Sequence, residues 1–177
     1  MDKNRLTAFI DAVLAISMTL MVFNLKAPAT FDLQGFWALR AQFFAYSVSY
    51  FWLGTMWVNL HNEWHDVKTV KRSTAWLSVV MLFFSSLFPY ATMLISEQFD
   101  NRTVQAFYGI VVLGVTFANT AVYRSIGLRR ENRFIIADIV LKILALILSV
   151  TVFPPAFVLT ILLLALYIAI ASLREKK

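Results

Sequence analysis

Six apolar runs, each close to twenty residues long, constrain this chain more than any other feature of it. They cover approximately residues 6–25, 36–60, 74–95, 103–123, 134–153 and 156–173. At about 1.5 Å of rise per residue, a helical run of that length spans the roughly 30 Å hydrocarbon core of a bilayer. Inside lipid every backbone N–H and C=O must be satisfied within the protein, so each run must be a helix: an open strand would leave those groups unpaired. Composition agrees. The chain is 60% hydrophobic and only 15% charged, with a mean hydropathy of +0.71, where a soluble domain is about 45–50% apolar and about 25% charged.

The links between runs are short and polar, so no soluble catalytic domain is expected, and residues 1–177 read as one transmembrane domain. Pro154-Pro155 alone separates the fifth and sixth runs and predicts a tight hairpin, because proline cannot donate within a helix. The first run is too long for a leader's apolar core, and Lys26-Ala27-Pro28 is a poor cleavage site, so it reads as a span. The absence of cysteine removes disulfides and thiolate metal sites from consideration.

Orientation follows from the basic residues. Lys3 and Arg5, then Lys68, Lys71 and Arg72, then Arg124, Arg129, Arg130 and Arg133, then Arg174, Lys176 and Lys177 fall on one side. Only Lys26 and Arg102 fall on the other, while Arg40 and Lys142 lie within runs. The positive-inside rule then places both termini in the cytoplasm, as an even number of spans requires. The net charge of +6 is explained by these loops, and no nucleic-acid partner is expected.

Polar groups able to do chemistry are few. His61 and His65 are four apart, with Glu63 and Asp66 beside them, a spacing that puts two imidazoles on one helical face. Two ligands do not make a metal site, and an interfacial polar cluster is the simpler reading. No phosphate-binding loop, dinucleotide fingerprint or metalloprotease motif is present. Helix-borne serines and threonines are expected to bond back to the helix, so an enzyme is a poor reading and no cofactor is expected. Asp138 and Lys142, at i and i+4, read as a charge pair near the interface whose lysine snorkels, with a proton or substrate relay as the functional alternative. Trp52 and Trp64 read as interfacial aromatics.

The first run carries the most information. Phe9, Val13, Ile16, Leu20 and Phe23 recur at spacings of four and three and form one apolar stripe, which either packs against other helices or lines something. Asp11 lies about 140° around the helix from Ile16 and so faces the neighbouring helices. A carboxylate there needs a donor, and Trp57 and His61, one turn apart at the matching end of the second run, supply an indole N–H and an imidazole. Arg5 is expected to be partnered by Asp11 or by that cluster. Thr19, about 60° from Ile16, borders the stripe. In the third run, Leu87-Phe88-Pro89 predicts a bend whose freed carbonyl a neighbour must satisfy.

The sequence Arg5-Leu6-Thr7-Ala8-Phe9-Ile10-Asp11, followed by an aliphatic helix through Leu20, resembles the first-helix signature of the transmembrane protein 175 family, Arg-x-x-x-Phe-Ser-Asp. Trp57 with His61 and the Leu87-Phe88-Pro89 step extend the resemblance along the chain; Ile10 departs from it, standing where the family has serine. Those proteins are potassium-permeable channels of endolysosomes and, in single-repeat form, of prokaryotes. The resemblance implies an all-α integral membrane protein with six transmembrane helices per subunit, the first lining a central pore in a homotetramer. It implies a constriction at Ile16, further apolar layers at Leu20 and Phe23, a potassium-selecting hydroxyl at Thr19, and a supporting network of Arg5, Phe9, Asp11, Trp57 and His61. Potassium would be the permeant ion, passing near Ile16 and Thr19, in the plasma membrane of a prokaryote. The alternatives are a small secondary transporter coupled through intramembrane Asp, Lys or His, and a non-conducting membrane scaffold.

Overall fold

The computed structural model describes residues 2–64, 67, 69–127 and 132–174, and the regular structure among them is helical throughout. Helix α1 (Lys3–Leu20) opens at Asp2, whose carboxylate accepts from the Asn4 N–H at 2.9 Å and satisfies one of the free amides of the first turn. The α-helix ends earlier than the apolar run: Val22–Asn24 tighten into a 3-10 turn, with Leu25 N–H bonding the Val22 carbonyl.

The second run divides. Leu33–Ala38 form the short helix α2, capped by Asp32, and the long helix α3 (Arg40–Trp64) begins only after a break at Leu39. Phe36, expected inside the membrane run, therefore lies exposed on α2. The third run divides too, into α4 (Arg72–Ser86) and α5 (Phe88–Glu97). The cause is Pro89, which lacks the N–H that would reach the Ser85 carbonyl; the helix stops, and the Leu87 N–H turns back to Phe84 at 3.2 Å. Helix α6 (Arg102–Ser125) is capped by Asn101, and α7 (Asn132–Thr151) and α8 (Ala156–Arg174) are joined by the expected proline hairpin. There the Ser149 hydroxyl bonds the Pro154 carbonyl, giving that buried hydroxyl a partner.

Four stretches among the described residues are long and apolar enough to cross a membrane: Lys3–Asn24, Arg72–Glu97, Arg102–Ser125 and Arg133–Thr151. A shorter apolar helix covers Ala156–Ile168. Helix α3 has the length, at 25 residues, but Asn59, His61, Asn62 and Glu63 make its last turns polar.

The core sits where α3, α4, α5, α6 and α8 meet. Trp52 stacks on Phe88 at 5.1 Å, Phe88 meets Tyr108 edge-on at 5.9 Å, and Tyr108 meets Phe157 at 6.1 Å. Trp52 and Trp64 are thus core residues and not interfacial ones, both being almost fully buried. Two glycines of α6 permit its close packing: a Cβ on Gly114 would stand 2.4 Å from the Phe84 ring, and one on Gly109 2.5 Å from a Leu146 methyl. A chain of hydroxyls crosses the core, Thr92 to Ser49 at 2.8 Å and Ser49 to Tyr108 at 3.0 Å, joining α3, α5 and α6. Such a chain satisfies groups that would each cost about 1–3 kcal/mol if buried unpaired.

Candidate pore face of the first helix

Helix α1 lies at the edge of this bundle, against α3, α4 and α5. Only 28% of its apolar stretch is buried, compared with 50% for the stretch formed by α4 and α5. Leu6, Ile10, Leu14, Ser17 and Met21 recur at four and three and point inward, each almost completely buried. The opposite side is open. Phe9 is 51% exposed, Ile16 57%, Leu20 46% and Phe23 81%. Val13 alone of the stripe is drawn partly into the core. A hydrophobic strip on one side of an otherwise well-packed helix requires a cover beyond its own subunit, from lipid, another copy or a pore. Phe23 sits in the 3-10 turn, so its direction no longer follows the α-helical period that links Phe9 to Leu20.

Ile10 explains its own departure from the family signature. It is 1% exposed in the apolar core, where an isoleucine gains burial that a serine would not.

Asp11 is anchored from outside its helix. The indole Nε1–H of Trp57 donates to Asp11 Oδ1 at 2.8 Å, tying α1 to α3. His61 lies one turn further along α3 with its ring 5.6 Å from the Trp57 indole and tilted 32° to it; it packs there and is not hydrogen-bonded to Asp11. Arg5 is exposed and forms no ion pair among the described residues, so the expected Arg5–Asp11 pairing is not made within the subunit. The Trp57 bond takes that place because Asp11 faces α3, whereas Arg5, six residues earlier on an exposed side of the first turns, does not. His65 and Asp66 of the histidine cluster lie outside the described residues, as do Lys68, Arg129, Arg130, Lys176 and Lys177.

Thr19 borders the open strip. Its hydroxyl donates back to the helix, with Ala15 and Ile16 carbonyls at 3.0 and 2.9 Å. That donation uses the hydroxyl's one proton and leaves its oxygen able to accept.

Two features escaped the sequence reading. Asn24, in the turn that ends the first stretch, donates its side-chain amide to the Pro89 carbonyl at 2.9 Å. The end of the first stretch thus bonds at the proline break, but to Pro89's own carbonyl and not to the Ser85 carbonyl that the proline frees. An asparagine following an apolar run was the available signal. The second is Lys142. It does not snorkel: it is 4% exposed, its Nζ 2.6 Å from Asp138 Oδ2 and 3.0 Å from the Thr116 hydroxyl, and 5.5 Å from the Trp52 ring. The position of Lys142 further into α7 than Asp138 hinted at this, but only packing against α6 and α3 turns the side chain inward.

Residues 5–89 match the family model described as endosomal/lysosomal potassium channel TMEM175. A protein of Chryseobacterium sp. (strain P1-3) named as a potassium channel is 37% identical over 120 residues, 68% of this chain and 62% of that protein. One of Streptomyces collinus (strain DSM 40733 / Tue 365), also named a potassium channel, is 31% identical over 130 residues, 69% of this chain and 63% of that protein. The match thus spans less than two thirds of either relative. The fold is similar to that of a lysosomal potassium-selective channel TMEM175 homologue from Chamaesiphon minutus, with a TM-score of 0.74 at 20% identity, over 96% of this chain and 97% of that one.

Proposed function

The chain belongs to the TMEM175 family, and from that premise we propose that it is a potassium-selective channel of a prokaryotic plasma membrane. Four copies, each crossing the membrane six times with both termini in the cytoplasm, surround a pore lined by α1. The observation that carries this reading is the two-sidedness of α1: Leu6, Ile10 and Leu14 bind it to its own bundle, while Phe9, Ile16 and Leu20 are left uncovered.

Ile16 forms the constriction in this arrangement, with Leu20 and Phe23 as further apolar layers. An aliphatic ring has no ligands for an ion and closes by expelling water. Ions cross it only with part of their hydration retained, and potassium, more readily dehydrated than sodium, is moderately favoured. Four outward Thr19 oxygens add coordination just beyond the ring. The Asp11–Trp57 bond holds α1 at a fixed rotation, keeping Ile16 on the pore axis. Backbone carbonyls take no part, since the chain has no Thr-Val-Gly-Tyr-Gly segment of the kind that replaces an ion's hydration shell.

The test is single-channel recording of the purified protein under a potassium/sodium bi-ionic gradient. Ile16→Asn is expected to raise conductance and reduce preference for potassium; unchanged currents and selectivity would remove Ile16 from the pore. Saturable flux coupled to a proton gradient would instead favour a transporter coupled through Asp11, His61 or the Asp138–Lys142 pair, whose lysine is buried. Protein that keeps its oligomeric state in liposomes but never conducts would favour a scaffold.

A further inference from the structure

A crevice of about 490 Å³ lies on the outside of the bundle between α6 and α7, lined by Phe117, Thr120, Ala121, Arg124, Ser125 and Ile139. Five of these recur at three and four along one face of α6, with Phe117 deeper in the apolar stretch and Arg124 in the last turn, and Ile139 comes from α7. Its volume falls in the range of about 300–1,000 Å³ typical of small-molecule sites. The lining changes character along α6: it runs from Phe117 through Thr120 and Ala121 to Arg124 and Ser125, so that a guanidinium and a hydroxyl stand at one end of a largely apolar slot.

That end lies within a basic belt. The Ser125 hydroxyl bonds the Thr74 hydroxyl at 2.9 Å, which sets the end of α6 level with the start of α4, where Lys71 and Arg72 stand. Arg133, in the first turn of α7, is exposed close by in the chain. Arg124 forms no ion pair among the described residues. A charged head next to an apolar slot, facing outward from a membrane bundle, matches a molecule with an anionic head and hydrocarbon tail. Basic pockets between transmembrane helices on the cytoplasmic side are general sites for anionic headgroups, and the planar guanidinium suits a phosphate diester better than an ammonium does.

We propose that the α6–α7 crevice binds one anionic phospholipid, its phosphate on the Arg124 guanidinium and an acyl chain along Phe117, Ala121 and Ile139. The site uses the membrane reading of the chain but not the channel reading, and its test involves no current.

The full-length protein would be delipidated in mild detergent and exposed to equal amounts of phosphatidylglycerol and phosphatidylcholine. Lipid retained per subunit would be counted by native mass spectrometry. The wild type is expected to hold one phosphatidylglycerol per subunit, preferred about tenfold, the equivalent of about 1.4 kcal/mol. Arg124→Gln should abolish the preference and Arg124→Lys restore part of it. Ala121→Trp, or Ala121→Leu if the larger change impairs folding, should abolish retention while Arg124 is still present. Arg102→Gln, at the other end of α6, should change neither. Equal retention of the two lipids, or an Arg124→Gln protein like the wild type, would overturn the site. So would retention that survives filling at Ala121, which would mean diffuse charge attraction. Displacement of phosphatidylglycerol by millimolar inorganic phosphate, or a changed subunit number in the filled variant, would reassign the crevice to a free anion or a second copy.

Discussion

The Trp57 indole donates to the Asp11 carboxylate at 2.8 Å, joining α1 to α3 across 46 residues of sequence. It is the one side-chain hydrogen bond between these two helices among the described residues, and it lies on the face of α1 away from Ile16. Trp57→Phe keeps an aromatic ring but removes the donor. The expected cost is about 1 kcal/mol, below the roughly 1.5–3 kcal/mol of a buried bond to a charged group because both residues are partly exposed. Asp11→Asn, which keeps an acceptor, should cost less than Asp11→Ala. Thermal unfolding in detergent checks the order. If the bond also sets the rotation of α1, Trp57→Phe should alter conductance in recordings made below the melting transition.

Thr19→Val keeps the shape of the side chain and removes its oxygen. Thr19 is exposed in the subunit and bonds only to its own helix, so stability should change by about 0.5 kcal/mol or less. Preference for potassium over sodium should fall while Thr19→Ser retains it. Bi-ionic reversal potentials decide; a valine variant with wild-type selectivity would exclude the hydroxyl from ion coordination.

Gly114→Ala should be markedly destabilising. The added Cβ would stand 2.4 to 2.6 Å from three atoms of the Phe84 ring, on a helix pair that cannot separate without opening the core. Overpacking of this kind costs about 1–3 kcal/mol. Gly109→Ala should cost less, because the obstruction is the end of a flexible Leu146 side chain. Melting temperatures of the two variants check the ranking.

Lys142 and Asp138 form a pair whose lysine is buried inside the bundle. Removing one partner leaves the other charge uncompensated, which costs about 3–5 kcal/mol for a fully buried pair; the 26% exposure of Asp138 places this one at or below the lower figure. Lys142→Met combined with Asp138→Leu should therefore be more stable than Asp138→Leu alone. A double-mutant cycle of unfolding free energies shows this directly, and additive effects would mean that the pair is not coupled.

Asp32 caps α2, accepting the Gly35 N–H at 2.7 Å and the Thr30 hydroxyl at 2.9 Å. The Gly35 N–H, then the Thr30 hydroxyl, holds its carboxyl below the ordinary value of 3.8. A carboxyl depressed in the folded state stabilises the cap fully above its unfolded value, and the contribution is lost as pH falls through the lowered one. Acidification below pH 4 should loosen the first turn of α2 while α3 is unaffected. Amide chemical shifts of Gly35 measured against pH check this. Gly35→Ala should disrupt the same turn at any pH, since its Cβ would stand 1.9 Å from the Thr30 carbonyl oxygen.

The sequence by itself determined the material of this protein. Lipid admits no other solution for long apolar runs than helices, so all-helical architecture and the proline hairpin were legible without a structure. The two faces of α1 were legible as well, because a period of 3.6 assigns Ile16 and Asp11 to different sides before any neighbour is known. Helix ends were less so. The early close of α1 and the break at Leu39 lie beside bonds between residues far apart in the chain, Asn24 to Pro89 and Lys26 N–H to Gln42, which no local pattern announces. Only the tertiary structure decided where the polar groups went. Lys142 could have reached for headgroups, and instead Thr116 and Asp138 hold it in the bundle; Arg5 could have paired with Asp11, and Trp57 occupies that carboxylate instead. A flexible side chain in a membrane goes to whichever partner lies within a few ångströms, and that distance is set by packing between helices, which no single helix encodes.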